Sequence, residues 1–226
     1  MIQHIDLKDN DLLAISQSAL TALRRALLRE AGPAAAACLQ EAGYAGGTTV
    51  FEAFREWLRL QGKANPEELE LEEFQHRASM FFQQIGWGTV AVHPLSDSVA
   101  VVESSDWHEA DPADKLDHPA CHFTTGMFAD FFGRLSGAPL AVLEVECRSM
   151  GAARCRFLLG NAEVLQFIFQ EMERGVSYQD AAQQAVLRSS GARYSGLSTS
   201  SPFTSTSRSH GRMIVLSVSS PAKSGS

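Results

Sequence analysis

The first part of the chain repeats apolar positions every three to four residues, which is the spacing of amphipathic helices. Four such segments cover residues 10–30, 33–43, 48–62 and 65–86. The pair Gly46 and Gly47 separates the second segment from the third, because glycine is unfavourable inside a helix. Asn65 and Pro66, followed by two glutamates, are typical of a helix start. The pattern predicts a helical N-terminal region over residues 1–84.

After Gly88 the pattern changes to β-branched and alternating positions. TVAVHPL at 89–95 and SVAVVES at 98–104 predict one antiparallel hairpin, and residues 139–160 predict a second that turns near Gly151. A polar loop at 106–120 and a helix at 122–137 lie between them, and two further helices cover 162–175 and 177–187. The fold class is therefore α/β of the α+β type: an antiparallel sheet packed with helices, with residues 85–189 as its second domain.

Composition and charge narrow the function classes. The 226 residues carry a net charge of −7, which disfavours nucleic-acid binding because that needs clustered Lys and Arg. No apolar run is long enough to span a bilayer and the start lacks a secretory signal, so we expect a cytoplasmic protein without a membrane span. Residues 190–226 are rich in serine and predict a disordered tail, in which only MIVLSV at 213–218 can form a strand.

Three of the four cysteines are placed where they can meet. Cys121 opens a helix, and Cys147 and Cys155 lie on the two arms of the second hairpin, whereas Cys38 lies among alanines and is expected in the core. Two small buried residues, a thiol–disulfide pair and half of a metal site all remain open for the hairpin cysteines. Glu144 and Glu146 are close, but strand alternation places both on the face opposite Cys147. Only a bend or bulge in the strand would bring Glu144 to Cys147.

A resemblance to a known family selects among these interpretations. Residues 118–137 and 143–160 resemble the 4-vinyl reductase (4VR) domain family, in which a Cys opens a helix containing G-x-x-x-x-F, followed by E-x-x-C and G-x-x-x-C-x-F. That pattern falls here on Cys121, Gly126, Phe131, Glu144, Cys147, Gly151, Cys155 and Phe157. The resemblance implies a fold like that of vesicle-tethering complex subunits and haem nitric-oxide-binding domains, a homodimer, and binding of hydrophobic small molecules. Carried over from similar aromatic-sensing transcription activators, it implies zinc on Cys121, Glu144, Cys147 and Cys155.

We therefore expect a binding module: a sensor or carrier for a hydrophobic or aromatic molecule such as a hydrocarbon, stabilised by structural zinc. The candidate pocket residues are Phe54, Phe81, Trp107, Thr125 and Phe131. An ATPase module or helix-turn-helix is not visible in the sequence, so a signal would pass to a separate partner. The family's name suggests as an alternative an accessory factor or reductase of bacteriochlorophyll biosynthesis acting on a tetrapyrrole vinyl group. Without a dinucleotide fingerprint or a defensible catalytic triad, catalysis is the less favoured hypothesis, and a dimeric scaffold is the third.

Overall fold

A computed structural model describes residues 5–195. Within that range the chain forms six α-helices and four β-strands. Their order is α1 (Gln17–Ala31), α2 (Ala34–Leu60), α3 (Leu71–Gln84), β1 (Ala91–Ser96), β2 (Val99–Ser104), α4 (His122–Ser136), β3 (Ala141–Glu146), β4 (Cys155–Gly160), α5 (Ala162–Glu173) and α6 (Tyr178–Ser195).

The four strands form one antiparallel sheet in the order β1-β2-β4-β3. Two hairpins, β1–β2 and β3–β4, are joined at the centre by the pairing of β2 with β4. The predicted α+β class and both predicted hairpins are confirmed.

Helices cover both faces of the sheet. Alternation along β4 places Phe157 and Leu159 in a core with α2, α3 and α4, while Leu158 points to the opposite face. On that opposite face Leu158 packs with Leu165 and Ile168 of α5 and with the start of α6. The result is three layers, in which the larger, aromatic core lies between the sheet and α2, α3 and α4.

The prediction of a break at Gly46 and Gly47 was wrong, because residues 34–60 form a single helix. The glycines of α2 serve close packing against α4 instead. A Cβ on Gly43 would lie 2.0 Å from the carbonyl oxygen of Phe123, and one on Gly47 would lie 2.6 Å from Cβ of Asp130. The backbones of α2 and α4 therefore approach each other at positions where only glycine leaves enough room.

Several predicted boundaries also differ from the structure. The first helix starts at Gln17 rather than near Asn10, because the Ser16 side chain caps it by accepting a hydrogen bond from the backbone N–H of Ala19. The start at Asn65 gives only a 3-10 turn, Pro66–Glu68, after which extended backbone at Leu69 and Glu70 delays α3. Cys38 is exposed on α2 rather than buried in the core.

The C-terminal helix continues to Ser195, beyond the predicted start of the tail at residue 190. The rest of the predicted tail, including MIVLSV at 213–218, lies outside the described residues. Among residues 5–195, none of the helices has both the length and the apolar character needed to cross a membrane.

Candidate functional site

Four buried side chains converge where the start of α4 meets the β3–β4 hairpin. Their metal-ligating atoms, the sulfurs of Cys121, Cys147 and Cys155 and a carboxylate oxygen of Glu144, all lie within 4.8 Å of one another. The Cys121 sulfur is 3.8 Å from each of the other two sulfurs. All four residues are at most 5% exposed. We call this group the Cys3Glu cluster.

A β-bulge in β3 brings Glu144 into the cluster. Glu144 pairs with Phe157, but Glu146 pairs with Arg156, so β3 holds one residue more than β4 over this stretch. The extra residue resets the alternation of side chains, which places Glu144 and Cys147 on the same face of the sheet. The structure therefore contains the bulge that the sequence required for Glu144 to reach Cys147.

The same bulge directs Glu146 to the opposite face of the sheet. There its carboxylate accepts hydrogen bonds from Arg156 Nη1 at 2.5 Å and from the Tyr178 hydroxyl at 3.0 Å. Arg156 also pairs with Glu103 at 2.7 Å. Glu146 thus belongs to a polar network that attaches the start of α6 to the sheet, and it is separated from the cluster.

Backbone N–H groups support the cluster from two sides. Cys121 is the N-cap residue of α4, and its N–H donates to Glu144 Oε2 at 2.8 Å. The N–H of Arg148 donates to the Cys155 sulfur at 3.5 Å. A 3-10 turn follows Cys147 and ends at Gly151, whose φ of +89° is a conformation that favours glycine. Gly151 thus allows the chain to reverse direction beside the cluster.

The electrostatics of the cluster show that its groups cannot all ionise without a cation. Burial raises the pKa of the Cys121 thiol and of the Glu144 carboxyl well above their usual values. Hydrogen bonds from the other two thiols lower the pKa of Cys147 instead. One negative charge is thereby favoured, while further charges are opposed by burial and by repulsion from the first.

The donor set and its spacing fit a tetrahedral divalent cation. A tetrahedron with metal–sulfur bonds of about 2.3 Å places its sulfurs about 3.8 Å apart, the separation found for Cys121. Within the described residues, Glu144 Oε1 is buried and has no hydrogen-bond partner. A buried carboxylate oxygen without a partner costs free energy, and a bound cation would remove that cost.

The predicted pocket residues fall in two places. Phe54, Phe81 and Phe131 form one aromatic group, with Phe54 5.1 Å from Phe81 and 5.7 Å from Phe131 between ring centroids. Trp107 joins this group through Phe82, at 5.7 Å. These five side chains are all fully buried. The aromatic rings and the three cluster cysteines belong to one continuous core, which we call the aromatic interior.

Thr125 lies apart from these rings, in the contact between α2 and α4. Its hydroxyl accepts a hydrogen bond from Gln40 Nε2 at 3.1 Å and donates to the His122 carbonyl at 2.7 Å. Its neighbour Thr124 contacts the interior instead, accepting a hydrogen bond from Trp107 Nε1 at 2.7 Å. Helical phase around Phe128 and Phe131 was the signal that could have favoured Thr124 over Thr125.

Glu109 is a buried carboxylate that sequence reasoning missed, because the polar composition of its loop suggested exposure. It caps α4 by accepting hydrogen bonds from the N–H of Phe123 at 3.0 Å and of Thr124 at 2.8 Å, and from the Thr124 hydroxyl at 2.5 Å. Burial raises the pKa of Glu109 to about 7. A hydrogen-bonded chain therefore runs from Trp107 through Thr124 to Glu109, beside the helix turn that begins with Cys121.

Comparison with known families identifies the part of the chain that holds the cluster. Residues 101–161 match the family model of the vinyl-4-reductase (4VR) domain, and this segment includes all four residues of the Cys3Glu cluster. The chain contains a 4VR domain. No curated protein matches the sequence.

Two solved structures resemble the chain around its 4VR domain. The first is the phenol-responsive sensory domain of the transcription activator PoxR with phenol, at 19% identity and a TM-score of 0.51 over 67% of this chain and 77% of that one. The second is a vinyl-4-reductase family protein from Methanocaldococcus jannaschii, also at 19% identity, with a TM-score of 0.34 over 45% of this chain and 71% of that one. At this identity the first match shows a shared fold, and the second has too low a score to add to it.

Proposed function

We propose that this protein is a sensor or carrier that binds a hydrophobic or aromatic small molecule in the aromatic interior, and that the Cys3Glu cluster holds a structural zinc ion. The observation that carries the proposal is the position of the cluster inside the same core as the aromatic rings. A ligand among those rings would lie in the core that the cluster helps to fix.

Zinc is the metal that best suits the donor set. Thiolates favour zinc over magnesium or calcium, and a site of three cysteines and one carboxylate can be tetrahedral. All four positions would be filled by protein, so water or substrate would have no place on the metal. The ion would hold α4 against the β3–β4 hairpin and would compensate the charges that burial otherwise opposes.

The aromatic interior suits an apolar ligand with at most one polar group. Phe54, Phe81 and Phe131 supply apolar walls, and the chain from Trp107 through Thr124 to Glu109 supplies polar atoms at one side. The similar fold of a sensory domain solved with phenol supports this ligand class. The rings contact one another, so a ligand must separate them to enter.

The proposal also assigns roles to the rest of the chain. Residues 1–84 would provide part of the pocket wall, through Phe54 and Phe81, and a homodimer contact; residues 85–189 would form the ligand-binding domain. Leu13, Ile15 and Leu23 are exposed apolar side chains at the N-terminal end that a second copy could cover. We propose a cytoplasmic location, where thiols stay reduced, and transmission of the signal to a separate protein.

The test is to identify what the purified protein carries and binds. Organic extraction followed by mass spectrometry should release a hydrophobic compound, and phenol added to the extracted protein should change the fluorescence of its tryptophans. Phe131→Leu should alter phenol affinity, whereas Phe169→Leu, on the other face of the sheet, should leave it unchanged.

Other outcomes would replace the proposal. Recovery of a tetrapyrrole whose vinyl group is reduced in the presence of a reduced nicotinamide would make the protein an enzyme or accessory factor of pigment synthesis. Failure to recover a compound, together with no response to phenol or to a hydrocarbon, would favour a dimeric scaffold.

A further inference from the structure

A polar cleft lies outside the aromatic interior, between α1 and the loop that follows β2. Its volume of about 610 Å³ is within the range of small-molecule sites. The cleft and the interior are separate, because Asp106 and His108 line the cleft while the side chain of Trp107 between them is fully buried in the core. The lining residues that matter below are Gln17, Ser18, Thr21, Arg25, Asp111 and Arg148.

Arg148 supplies a positive charge in this cleft that is not matched by a carboxylate. Its Nη1 donates to the carbonyl oxygen of Trp107 at 3.1 Å, and its side chain makes no ion pair within residues 5–195. A guanidinium has five N–H donors, so most of them remain available. Its half-buried position reduces the hydration that would otherwise satisfy those donors.

The other arginine of the cleft is already paired. Arg25 contacts Asp111 at 2.8 Å and Asp114 at 2.6 Å, so its charge is compensated. The Asp106 carboxylate is occupied as well, since its Oδ1 accepts hydrogen bonds from the hydroxyls of Thr89 at 2.7 Å and Ser104 at 3.0 Å. Arg148 is therefore the cation in the cleft that an incoming anion would find free.

Side chains on α1 complete a recognition surface opposite Arg148. Ser18 and Thr21 offer hydroxyl groups and Gln17 offers an amide, all of which can donate to an oxygen ligand. An arginine binds a carboxylate through two parallel hydrogen bonds, a geometry that gives both affinity and orientation. We propose that this cleft is a second ligand site, which binds a small organic carboxylate through Arg148 with support from Thr21 and Ser18.

The cleft is also connected to the Cys3Glu cluster. Arg148 follows Cys147 directly, and its backbone N–H donates to the Cys155 sulfur. A carboxylate held by the Arg148 side chain would restrict the same turn that carries two cluster residues. Occupation of the cleft should therefore raise the thermal stability of the protein.

The test uses sodium benzoate as the probe and benzyl alcohol as its uncharged counterpart, titrated into the full chain by calorimetry. The wild type should bind benzoate with a Kd below about 1 mM and benzyl alcohol at least about tenfold more weakly at this site. Arg148→Gln should weaken benzoate binding at least about tenfold, the loss expected for a charge-assisted pair. Arg154→Gln is the matched control, because Arg154 lies on the same hairpin but pairs with Glu103.

Two further measurements keep the result interpretable. Metal content is determined for each variant, and Thr21→Val on α1, away from the cluster, should weaken benzoate binding severalfold even if Arg148→Gln fails to fold. Benzoate binding that is absent in the wild type, or equal in the wild type and these variants, would overturn the proposal. Phenol binding in the interior should be unaffected by Thr21→Val, so the two sites are tested independently.

Discussion

The side chains of Glu144 and Glu146 show how one backbone irregularity assigns different roles to neighbouring residues. The bulge places Glu144 in the Cys3Glu cluster and Glu146 in the network with Arg156 and Tyr178. Both are carboxylates two positions apart on one strand, so they form a matched pair for testing the metal site.

Glu144→Gln should lower zinc affinity strongly, because it removes an anionic ligand while keeping the size of the side chain. Glu146→Gln should retain zinc, since that carboxylate faces the other side of the sheet. Competition with a zinc chelator measures both affinities, and we expect a loss of at least about tenfold for Glu144→Gln alone. Equal zinc affinity in the two variants would contradict the assignment of ligands.

Glu109 should make the stability of the protein depend on pH. Its folded-state pKa of about 7 lies above the usual 4.5, so the folded protein binds the proton more tightly than the unfolded chain does. Its contribution to stability is therefore highest below about pH 4.5, falls as the pH rises to about 7, and is constant above that. The pKa difference corresponds to at most about 3 kcal/mol.

Urea unfolding of the wild type and of Glu109→Gln between pH 5 and pH 8 measures this effect. The free energy of unfolding of the wild type, relative to the variant, should decrease as the pH rises. Glu41→Gln, an exposed position on α2, is the control for removal of a carboxylate. A difference between wild type and Glu109→Gln that does not change with pH would contradict the burial argument.

Helices α2 and α4 form the closest helix pair in the aromatic half of the protein, and their glycines set that distance. Gly43 faces the backbone of α4, whereas a Cβ on Gly46 of the same helix would meet no atom within 4 Å. Gly43→Ala should therefore force the helices apart and destabilise the fold by about 1–3 kcal/mol or more. Gly46→Ala should stabilise it by about 0.5–1 kcal/mol, because alanine is the better helix former.

Thermal or denaturant unfolding of the two alanine variants distinguishes them directly. Opposite signs of the change in unfolding free energy would support the close approach of α2 and α4. Destabilisation of similar size at both positions would instead favour the break in the helix that the sequence suggested.

The elements that could be predicted from the sequence are those that depend on local pattern. Alternation in residues 89–104 and helical spacing in 122–137 were sufficient to predict the first hairpin and α4. The continuity of α2 could not be predicted, because a glycine that breaks a helix and a glycine that admits a neighbouring backbone look the same in sequence. The value of Gly43 and Gly47 lies in a contact with residues distant in the chain, on α4.

The same distinction applies to the site. Family resemblance selected Cys121, Glu144, Cys147 and Cys155, and the structure brings them together, but strand periodicity alone would have excluded Glu144. Burial of Glu109 was not predictable, since it arises from the way a polar loop folds over the start of α4. Long-range packing, and not local composition, decides these positions.

The molecule as a whole joins three parts around the aromatic interior: the helices α2 and α3, the helix α4, and the sheet. The Cys3Glu cluster connects α4 to the hairpin at one end of that interior, and the glycine contacts connect α4 to α2. Loss of the metal would leave a buried group of thiols and a carboxyl that cannot all be charged, and would loosen the wall of the proposed pocket.

The metal content of the purified protein tests this account most directly. Elemental analysis of wild-type protein prepared without added metal or chelator should find about one zinc ion per chain. Cys155→Ala should purify without zinc and unfold at a lower temperature, because it removes one of the four ligands. Less than about a tenth of an equivalent of zinc in the wild type would contradict the assignment of the Cys3Glu cluster as a structural zinc site.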